Sequence, residues 1–213
     1  MLGQAIGKNG VILAVFALCT AGILAGTYQL TKGRIVESEK RAQQQALFEV
    51  VPAHHHDNDM LADVIPVPPN SLQQLGLSQP ADIHLALQNG ELVAAVIPAT
   101  APDGYSGAIR MIVGVNANGT IAGVRILAHN ETPGLGDKVD IRKSDWVMSF
   151  NGKSLTNPSA QGWSVKKDGG SFDQFTGATI TPRAVVSKVH DVLNFFQTHQ
   201  AAIVAASTVD PHE

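Results

Sequence analysis

The feature that most constrains this chain is an uncharged apolar stretch close to its N-terminus. Residues 9–31 contain no Asp, Glu, Lys or Arg, and Lys8 and Lys32 stand at either end. The apolar core, residues 11–30, is 20 residues long, which as a helix is about 30 Å and matches the hydrocarbon layer of a bilayer. Signal peptides have shorter apolar regions that end at a cleavage site. We therefore expect a retained transmembrane helix over residues 9–31, after a short N-terminal segment of residues 1–8.

The composition limits what the rest of the chain contains. Only 15 % of the 213 residues are charged, against about a quarter in soluble proteins. One membrane helix and one globular domain account for the length, which excludes a polytopic transporter. A net charge of −3 lacks the basic surplus of nucleic-acid-binding proteins, so no nucleic-acid partner is expected. Cys19 is the single cysteine, which excludes an internal disulfide, a CxxC redox pair and a cysteine-ligated metal centre.

The charges that flank the apolar stretch bear on its orientation in the membrane. Its C-terminal side carries more basic residues than its N-terminal side, namely Lys32, Arg34, Lys40 and Arg41 against Lys8. Counting Lys and Arg alone, the positive-inside rule places the larger C-terminal part of the chain in the cytoplasm.

A stalk and a linker are predicted between the apolar stretch and the globular domain, over residues 32–80. Residues 34–51 contain neither Gly nor Pro and repeat apolar residues at helical spacing, so the helix is expected to continue until Pro52. Three adjacent histidines, residues 54–56, follow. Adjacent positions lack the i, i+4 spacing with which a helix presents two histidines to one ion, so a polar loop is favoured over a metal site.

The remaining sequence predicts an α+β domain over residues 81–206, built on antiparallel β-hairpins with packed helices, and a short tail of residues 207–213. Residues 82–88 and 91–99 flank Asn89-Gly90, a dipeptide typical of tight hairpin turns. Residues 109–115 and 120–128 form a second strand pair. Apolar residues recur at helical spacing over residues 183–199, which predicts a helix with Thr181 as its N-cap and Pro182 in its first turn.

The most informative stretch is the Thr-rich segment that precedes this last helix. Thr176, Thr179 and Thr181 place three hydroxyls, and Gly177 a flexible backbone, directly ahead of the helix start. Helix N-termini present unpaired N–H groups and the positive end of the helix dipole, which favour a phosphate or another anion. On the residues alone, the segment is either an anion-binding turn or an ordinary capped helix after a Thr-rich loop.

The segment Asp173-x-x-Thr176-Gly177-Ala178-Thr179 resembles the flavinylation motif of a known family. That family is the FMN-binding domain found in the G subunit of the Rnf electron transport complex and in the C subunit of the sodium-translocating NADH:quinone reductase. The segment Glu131-Thr132-Pro133-Gly134-Leu135-Gly136 resembles a second signature of the same family. Taken alone, this segment would also fit a tight loop after a strand. The resemblance covers nearly the whole chain, including the Gly104-Tyr105-Ser106-Gly107 turn and the Gly114-Val115-Asn116 hairpin. The length together with Thr181-Pro182 makes the G subunit the nearer match.

The resemblance implies a covalent cofactor. FMN would be joined by a phosphoester to Thr179, and a separate FAD-dependent, magnesium-requiring flavin transferase would attach it. The expected FMN-binding residues fall in the two motifs, and they are Thr176, Gly177, Ala178, Thr179 and Thr181 in the first and Glu131, Thr132, Gly134, Leu135 and Gly136 in the second. No catalytic side chain and no metal ligand is expected, because the flavin supplies the redox chemistry.

The resemblance also implies a function and a location. The expected role is that of an electron-carrying subunit of an Rnf-type, ion-translocating oxidoreductase complex, with other membrane and iron–sulfur subunits as partners. The family places such a domain on the periplasmic face of the inner membrane, against the charge count. The alternative is a non-catalytic, membrane-tethered module that binds flavin or another anion loosely. A serine hydrolase is disfavoured because Gly104-Tyr105-Ser106-Gly107 lacks the G-x-S-x-G spacing.

Overall fold

The computed structural model describes residues 2–207 of the chain. Helix α1 covers Leu2–Val50, and its segment Asn9–Ile35 is long and apolar enough to span a membrane. Large apolar side chains along this segment, such as Phe16 and Leu18, are exposed, as expected for a helix that faces lipid. The predicted N-terminal apolar helix is therefore confirmed. Residues up to Gln43 form one unit, and residues from Gln44 onward form a second, compact unit.

The second unit is built on an antiparallel sheet of five strands in sequential order. The strands are β1 (Val64–Pro66), β2 (Asp82–Gln88), β3 (Glu91–Gly104), β4 (Gly107–Asn116) and β5 (Ile121–Ala128). Asn89 and Gly90 both have positive φ, 51° and 79°, which gives the β2–β3 turn the twist that a tight hairpin needs. Both predicted hairpins are confirmed. Strand β1 lies in the predicted linker and was not predicted. Its three residues, Val64–Pro66, show no alternation of apolar and polar side chains.

Helix α2 covers Ile180–Ser207 and packs on β3. Its predicted apolar stripe is buried, with Val185, Val189, Val192 and Phe196 each at most 1 % exposed. Every second residue of a strand, such as Ala95 and Ile97 of β3, belongs to this core. Successive side chains of a strand point to opposite faces of the sheet. The fold is thus the α+β architecture predicted from the sequence.

The opposite face of the sheet is covered by the C-terminal end of α1. Leu47, Val50 and Val51 pack there with Ala94 and Val96 of β3. Gly114 and Gly123, paired across β4 and β5, leave the space that Val50 fills. A Cβ on Gly114 would lie 2.3 Å from Val50 Cγ1. Both faces of the sheet are therefore buried, and the residues from Gln44 onward contribute to the core of the compact unit.

An aromatic cluster occupies the irregular segment between β5 and α2. Five buried aromatic rings pack against one another in stacked, tilted and edge-on pairs, with ring centroids 4.6–6.4 Å apart, namely Trp146, Phe150, Trp163, Phe172 and Phe175. The Trp146 indole Nε1 also donates a hydrogen bond to the Asp173 carbonyl at 2.8 Å. This packing fixes the segment that leads into the Thr-rich turn, because aromatic pairs and a satisfied indole N–H each restrict the backbone that carries them.

Candidate functional site

The tertiary structure brings the two sequence motifs together. The loop of residues 131–136 follows β5, and the turn of residues 176–179 precedes α2. A Cβ on Gly136 would lie 2.9 Å from Thr181 Oγ1, and one on Gly177 would lie 3.6 Å from Leu135 Cδ2. The two motifs therefore form one continuous surface at the N-terminal end of α2.

A buried carboxylate joins these segments from below. Glu131 is 4 % exposed, and its Oε2 accepts a hydrogen bond from the Thr181 hydroxyl. Its Oε1 accepts a hydrogen bond from the Ser106 N–H at 3.0 Å. Glycine is required at Gly136, where a Cβ would lie 2.7 Å from Glu131 Oε2. One side chain thus ties together the β3–β4 turn, the loop after β5 and the first turn of α2.

The prediction that Thr181 is the N-cap of α2 is wrong. The helix begins at Ile180, and the Arg183 N–H donates to the Thr179 carbonyl at 3.3 Å, which makes Thr179 the N-cap residue. Thr181 is fully buried in the first turn. Its hydroxyl donates to Glu131 instead of capping the helix. A buried carboxylate oxygen without a donor costs more free energy than an unpaired N–H at an exposed helix end.

Thr179 is the half-buried end of the Thr-rich turn. The turn is closed by a hydrogen bond from the Ala178 N–H to the Phe175 carbonyl at 3.1 Å, and Gly177 has the positive φ of 81° that a type II turn places at this position. Within residues 2–207, the Thr179 hydroxyl has no hydrogen-bond partner. An accessible, unpaired hydroxyl therefore lies at the positive end of the α2 dipole.

The surface around Thr179 is apolar on one side. Leu135 and Ile180 are 42 % and 45 % exposed, and Tyr105, on the turn that Glu131 anchors, is 67 % exposed. Thr132 and Gly134 are also exposed, and the Thr132 carbonyl accepts the N–H groups of Leu135 and Gly136 at 3.1 Å each. The outer loop is therefore a tight turn that presents one apolar side chain beside the Thr-rich turn.

The other side of Thr179 carries charge. Arg183 binds Asp168 through two hydrogen bonds of 2.5 and 2.6 Å, and Lys166 binds Asp173 at 2.7 Å. The hydrogen bonds from Arg183 lower the pKa of the Asp168 carboxyl, and the same contact raises the pKa of Arg183. The Asp168–Arg183 pair therefore favours the charged form of both of its side chains.

The chain is similar to two family models and to several known proteins. A model of the FMN-binding domain matches residues 104–194, which include both motifs, and a model of the RnfG N-terminal region matches residues 1–50. The G subunit of the ion-translocating oxidoreductase complex from Pseudoalteromonas atlantica is 50 % identical over 96 % of this chain and 94 % of its own length. Proteins of the same name from Pseudomonas aeruginosa and Vibrio cholerae are 46 % and 48 % identical, and the matches cover 97 % and 92 % of this chain and 95 % and 92 % of theirs.

The chain belongs to the family of G subunits of ion-translocating oxidoreductase complexes. This confirms the resemblance inferred from the two motifs, and with it the expectation of an FMN-binding domain. The site fits the phosphate end of FMN, because a threonine hydroxyl without a partner stands at a helix N-terminus. The exposed Leu135 and Ile180 beside it suit a planar ring.

Three residues that support or charge the site, Ser106, Asp168 and Arg183, were not predicted from the sequence. Ser106 acts through its backbone N–H, which no side-chain pattern reveals. Asp168 and Arg183 are 15 residues apart, on a loop and a helix, so no periodic spacing links them. Only the Gly104–Gly107 turn carried a signal, since it formed part of the resemblance.

Proposed function

We propose that this chain carries FMN on Thr179, through a phosphoester between Oγ1 and the phosphate of the flavin, and that the flavin relays electrons within the ion-translocating complex. The observation that carries the proposal is the unpaired, accessible Thr179 hydroxyl at the N-terminus of α2, beside the second motif. The helix N–H groups and dipole stabilise the negative charge of the phosphoester. Membership of the G-subunit family supports FMN as the cofactor.

Attachment is a single group transfer in which Thr179 is the nucleophile. With FAD and Mg²⁺ held by a separate flavin transferase, Thr179 Oγ1 forms a bond to the FMN-side phosphorus of FAD. The pyrophosphate P–O bond breaks, AMP leaves, and the threonine proton passes to a base of the transferase. The accessibility of Thr179 supports this route, because a second protein must reach the hydroxyl.

In turnover the protein acts as a scaffold. FMN, when bound, supplies the electron transfer, and the chain supplies tethering, orientation and tuning. Thr176, Gly177 and Ala178 form the turn that carries the attachment site. We expect the loop of Thr132, Gly134 and Leu135 to contact the ring system. Glu131, Gly136 and Thr181 brace both from below.

The attachment is tested by mass spectrometry. The full chain is co-produced with a flavin transferase, and the peptide spanning residues 172–183 is expected to gain the mass of FMN minus water on Thr179. Thr179→Ala should abolish in-gel flavin fluorescence, whereas Thr198→Ala, at an exposed position of α2 outside both motifs, should retain the covalent flavin. An unmodified Thr179 in protein that carries flavin elsewhere overturns the proposal.

A loosely binding, non-catalytic module is the competing function. Gel filtration of the flavin-loaded chain in denaturant separates the two, since flavin that elutes with the unfolded chain is covalent. Flavin that elutes as a small molecule would support the loose-binding module instead.

The partners and the orientation belong to the same proposal. The relatives are named as subunits of a complex, which supports other membrane and iron–sulfur subunits as partners. We place the C-terminal domain on the periplasmic face of the inner membrane, because a covalent cofactor cannot be lost by dissociation into a dilute compartment. Alkaline phosphatase fused after Glu213 should then be active, and a fluorescent cytoplasmic reporter at the same point should be dark. The reverse result would restore the orientation that the Lys and Arg count favours.

A further inference from the structure

Arg183 stands four residues after Thr179 at the start of α2. The Arg183 N–H donates a hydrogen bond to the Thr179 carbonyl at 3.3 Å, so Arg183 closes the first turn of the helix onto Thr179. Helical side chains also tilt toward the N-terminus and cover the preceding turn. This tilt favours an Arg183 side chain that reaches toward the N-terminal end of α2, where Thr179 is the N-cap residue.

The neighbouring loop holds Arg183 in this position. Arg183 Nε and Nη2 donate to the two carboxylate oxygens of Asp168 at 2.5 and 2.6 Å. A guanidinium has five N–H groups in a planar fork, so three of them stay available while the pair is intact. The Arg183 side chain is 45 % exposed, which leaves those donors accessible.

The loop that carries Asp168 is itself anchored to the segment before the Thr-rich turn. Lys166 binds Asp173 at 2.7 Å, and the Lys167 N–H donates to Gln174 Oε1 at 3.1 Å. Within residues 2–207, Lys167 forms no salt bridge, and its charge adds to the lowering of the Asp168 pKa. The Lys166–Asp173 and Arg183–Asp168 pairs and Lys167 thus lie on the two segments that flank the Thr-rich turn, and the Glu131 carboxylate is buried beneath that turn.

We propose that Arg183 is the counterion of the phosphate attached to Thr179, and that Asp168 holds its guanidinium beside the attachment site until the phosphate arrives. The inference rests on the proposed function, since it requires the phosphoester at Thr179. Arg183 is a positioning residue that takes no part in electron transfer. A guanidinium suits this task because its fork matches phosphate oxygens and its charge persists at all working pH values.

The test measures flavinylation of the full-length chain in detergent by purified flavin transferase with FAD and Mg²⁺. Arg183→Gln should slow the reaction about tenfold, the effect of one lost charge-assisted hydrogen bond, and Arg183→Lys should recover part of the rate. Asp168→Asn should react faster than wild type, because it frees the guanidinium. If the Arg183–Asp168 pair had only a structural role, Arg183→Gln and Asp168→Asn would slow flavinylation equally.

Controls separate folding, transferase docking and the phosphate contact. Arg41→Gln breaks another exposed ion pair, with Glu37 at 2.6 Å, and should leave the rate unchanged. Thermal unfolding of the flavin-free Arg183→Gln chain should differ from wild type only by the small stabilisation that an exposed ion pair contributes. After prolonged reaction, the attached flavin should raise the melting temperature less in Arg183→Gln than in wild type.

The possible results separate the counterion role of Arg183 from the proposed attachment of FMN to Thr179. If wild type is flavinylated on Thr179 and Arg183→Gln reacts at the wild-type rate, the phosphate-counterion role is overturned while the proposed function stands. Equal stabilisation by the flavin in both chains would also overturn it, because Arg183 would then contact the transferase. If Thr179→Ala is flavinylated as fast as wild type, the proposed function itself fails.

Discussion

The carboxylate of Glu131 accepts a hydrogen bond from the hydroxyl of Thr181, 50 residues further along the chain. Both side chains are buried. Through this pair the loop after β5 is fixed against the first turn of α2, so the two motifs keep a constant relation to each other. The accessible Thr179 hydroxyl depends on a contact that lies beneath the surface.

Removing the Thr181 hydroxyl tests this contact. Thr181→Val keeps the shape of the side chain but leaves a buried carboxylate oxygen of Glu131 without its donor, which should cost about 1–3 kcal/mol of unfolding free energy. Thr176→Val, in the exposed part of the same segment, should change it by less than about 0.5 kcal/mol. Urea unfolding followed by tryptophan fluorescence reports on the domain, because both tryptophans, Trp146 and Trp163, lie there. Equal stability of the two variants would contradict the role assigned to the buried pair.

Gly136→Ala tests how closely the two motifs approach. The new Cβ would lie 2.7 Å from Glu131 Oε2 and 2.9 Å from Thr181 Oγ1, so the pair must move apart, at a cost of about 1–3 kcal/mol. Flavinylation should slow as well, because the turn that carries Thr179 shifts. Gly33→Ala is the control, since its Cβ would meet nothing within 4 Å. Wild-type unfolding and flavinylation in Gly136→Ala would show that the loop and the helix are farther apart than described.

The face of the sheet that receives the end of α1 gives a paired prediction. Gly114→Ala would place a Cβ 2.3 Å from Val50 Cγ1 and should destabilise the domain by about 1–3 kcal/mol. Adding Val50→Ala removes the clashing methyl groups, so the double variant should lose less than the sum of the two single variants. Strict additivity in denaturant unfolding would mean that the two residues do not touch.

The Asp140–Arg142 pair predicts a pH dependence of stability. Three hydrogen bonds of 2.5–3.1 Å from the Arg142 side chain lower the pKa of the Asp140 carboxyl below its ordinary value of 3.8. A carboxyl with a lowered pKa in the folded state stabilises the fold above its unfolded pKa, and this stabilisation is lost as the pH falls through the folded pKa. Asp140→Asn should therefore be less stable than wild type at pH 7, and the difference should shrink below about pH 4. Arg142→Gln should show the same narrowing in urea unfolding, and a difference that stays constant with pH would contradict the assignment.

The sequence carries enough local information for most of the fold. The membrane helix follows from a continuous apolar stretch, since every face of such a helix needs an apolar environment. The first hairpin follows from Asn89-Gly90, whose backbones accept positive φ, and α2 follows from the spacing of Val185, Val189, Val192 and Phe196. The Thr-rich segment and the loop of residues 131–136 are identified by their residue order. Each of these signals lies within a few residues of the structure that it predicts.

The sequence does not carry the partners of polar side chains. A threonine at a helix start can cap its own backbone or bond elsewhere, and locally the two choices are similar in free energy. The Thr181 hydroxyl donates to Glu131 because folding buries that carboxylate beside it. A buried charge without a hydrogen-bond donor costs more free energy than the loss of a helix cap. Strand β1 likewise exists because β2 offers it a pairing edge.

The sequence by itself thus determined the N-terminal apolar helix, the hairpins, the last helix and the two motifs, because periodicity and turn chemistry are local. Only the tertiary structure decided that the motifs meet on Glu131, that Thr179 rather than Thr181 is the N-cap residue of α2, and that Arg183 is held by Asp168. These are contacts between residues distant in the chain, and their free energy depends on burial and charge that arise only when the sheet, the loop and the helix have packed together.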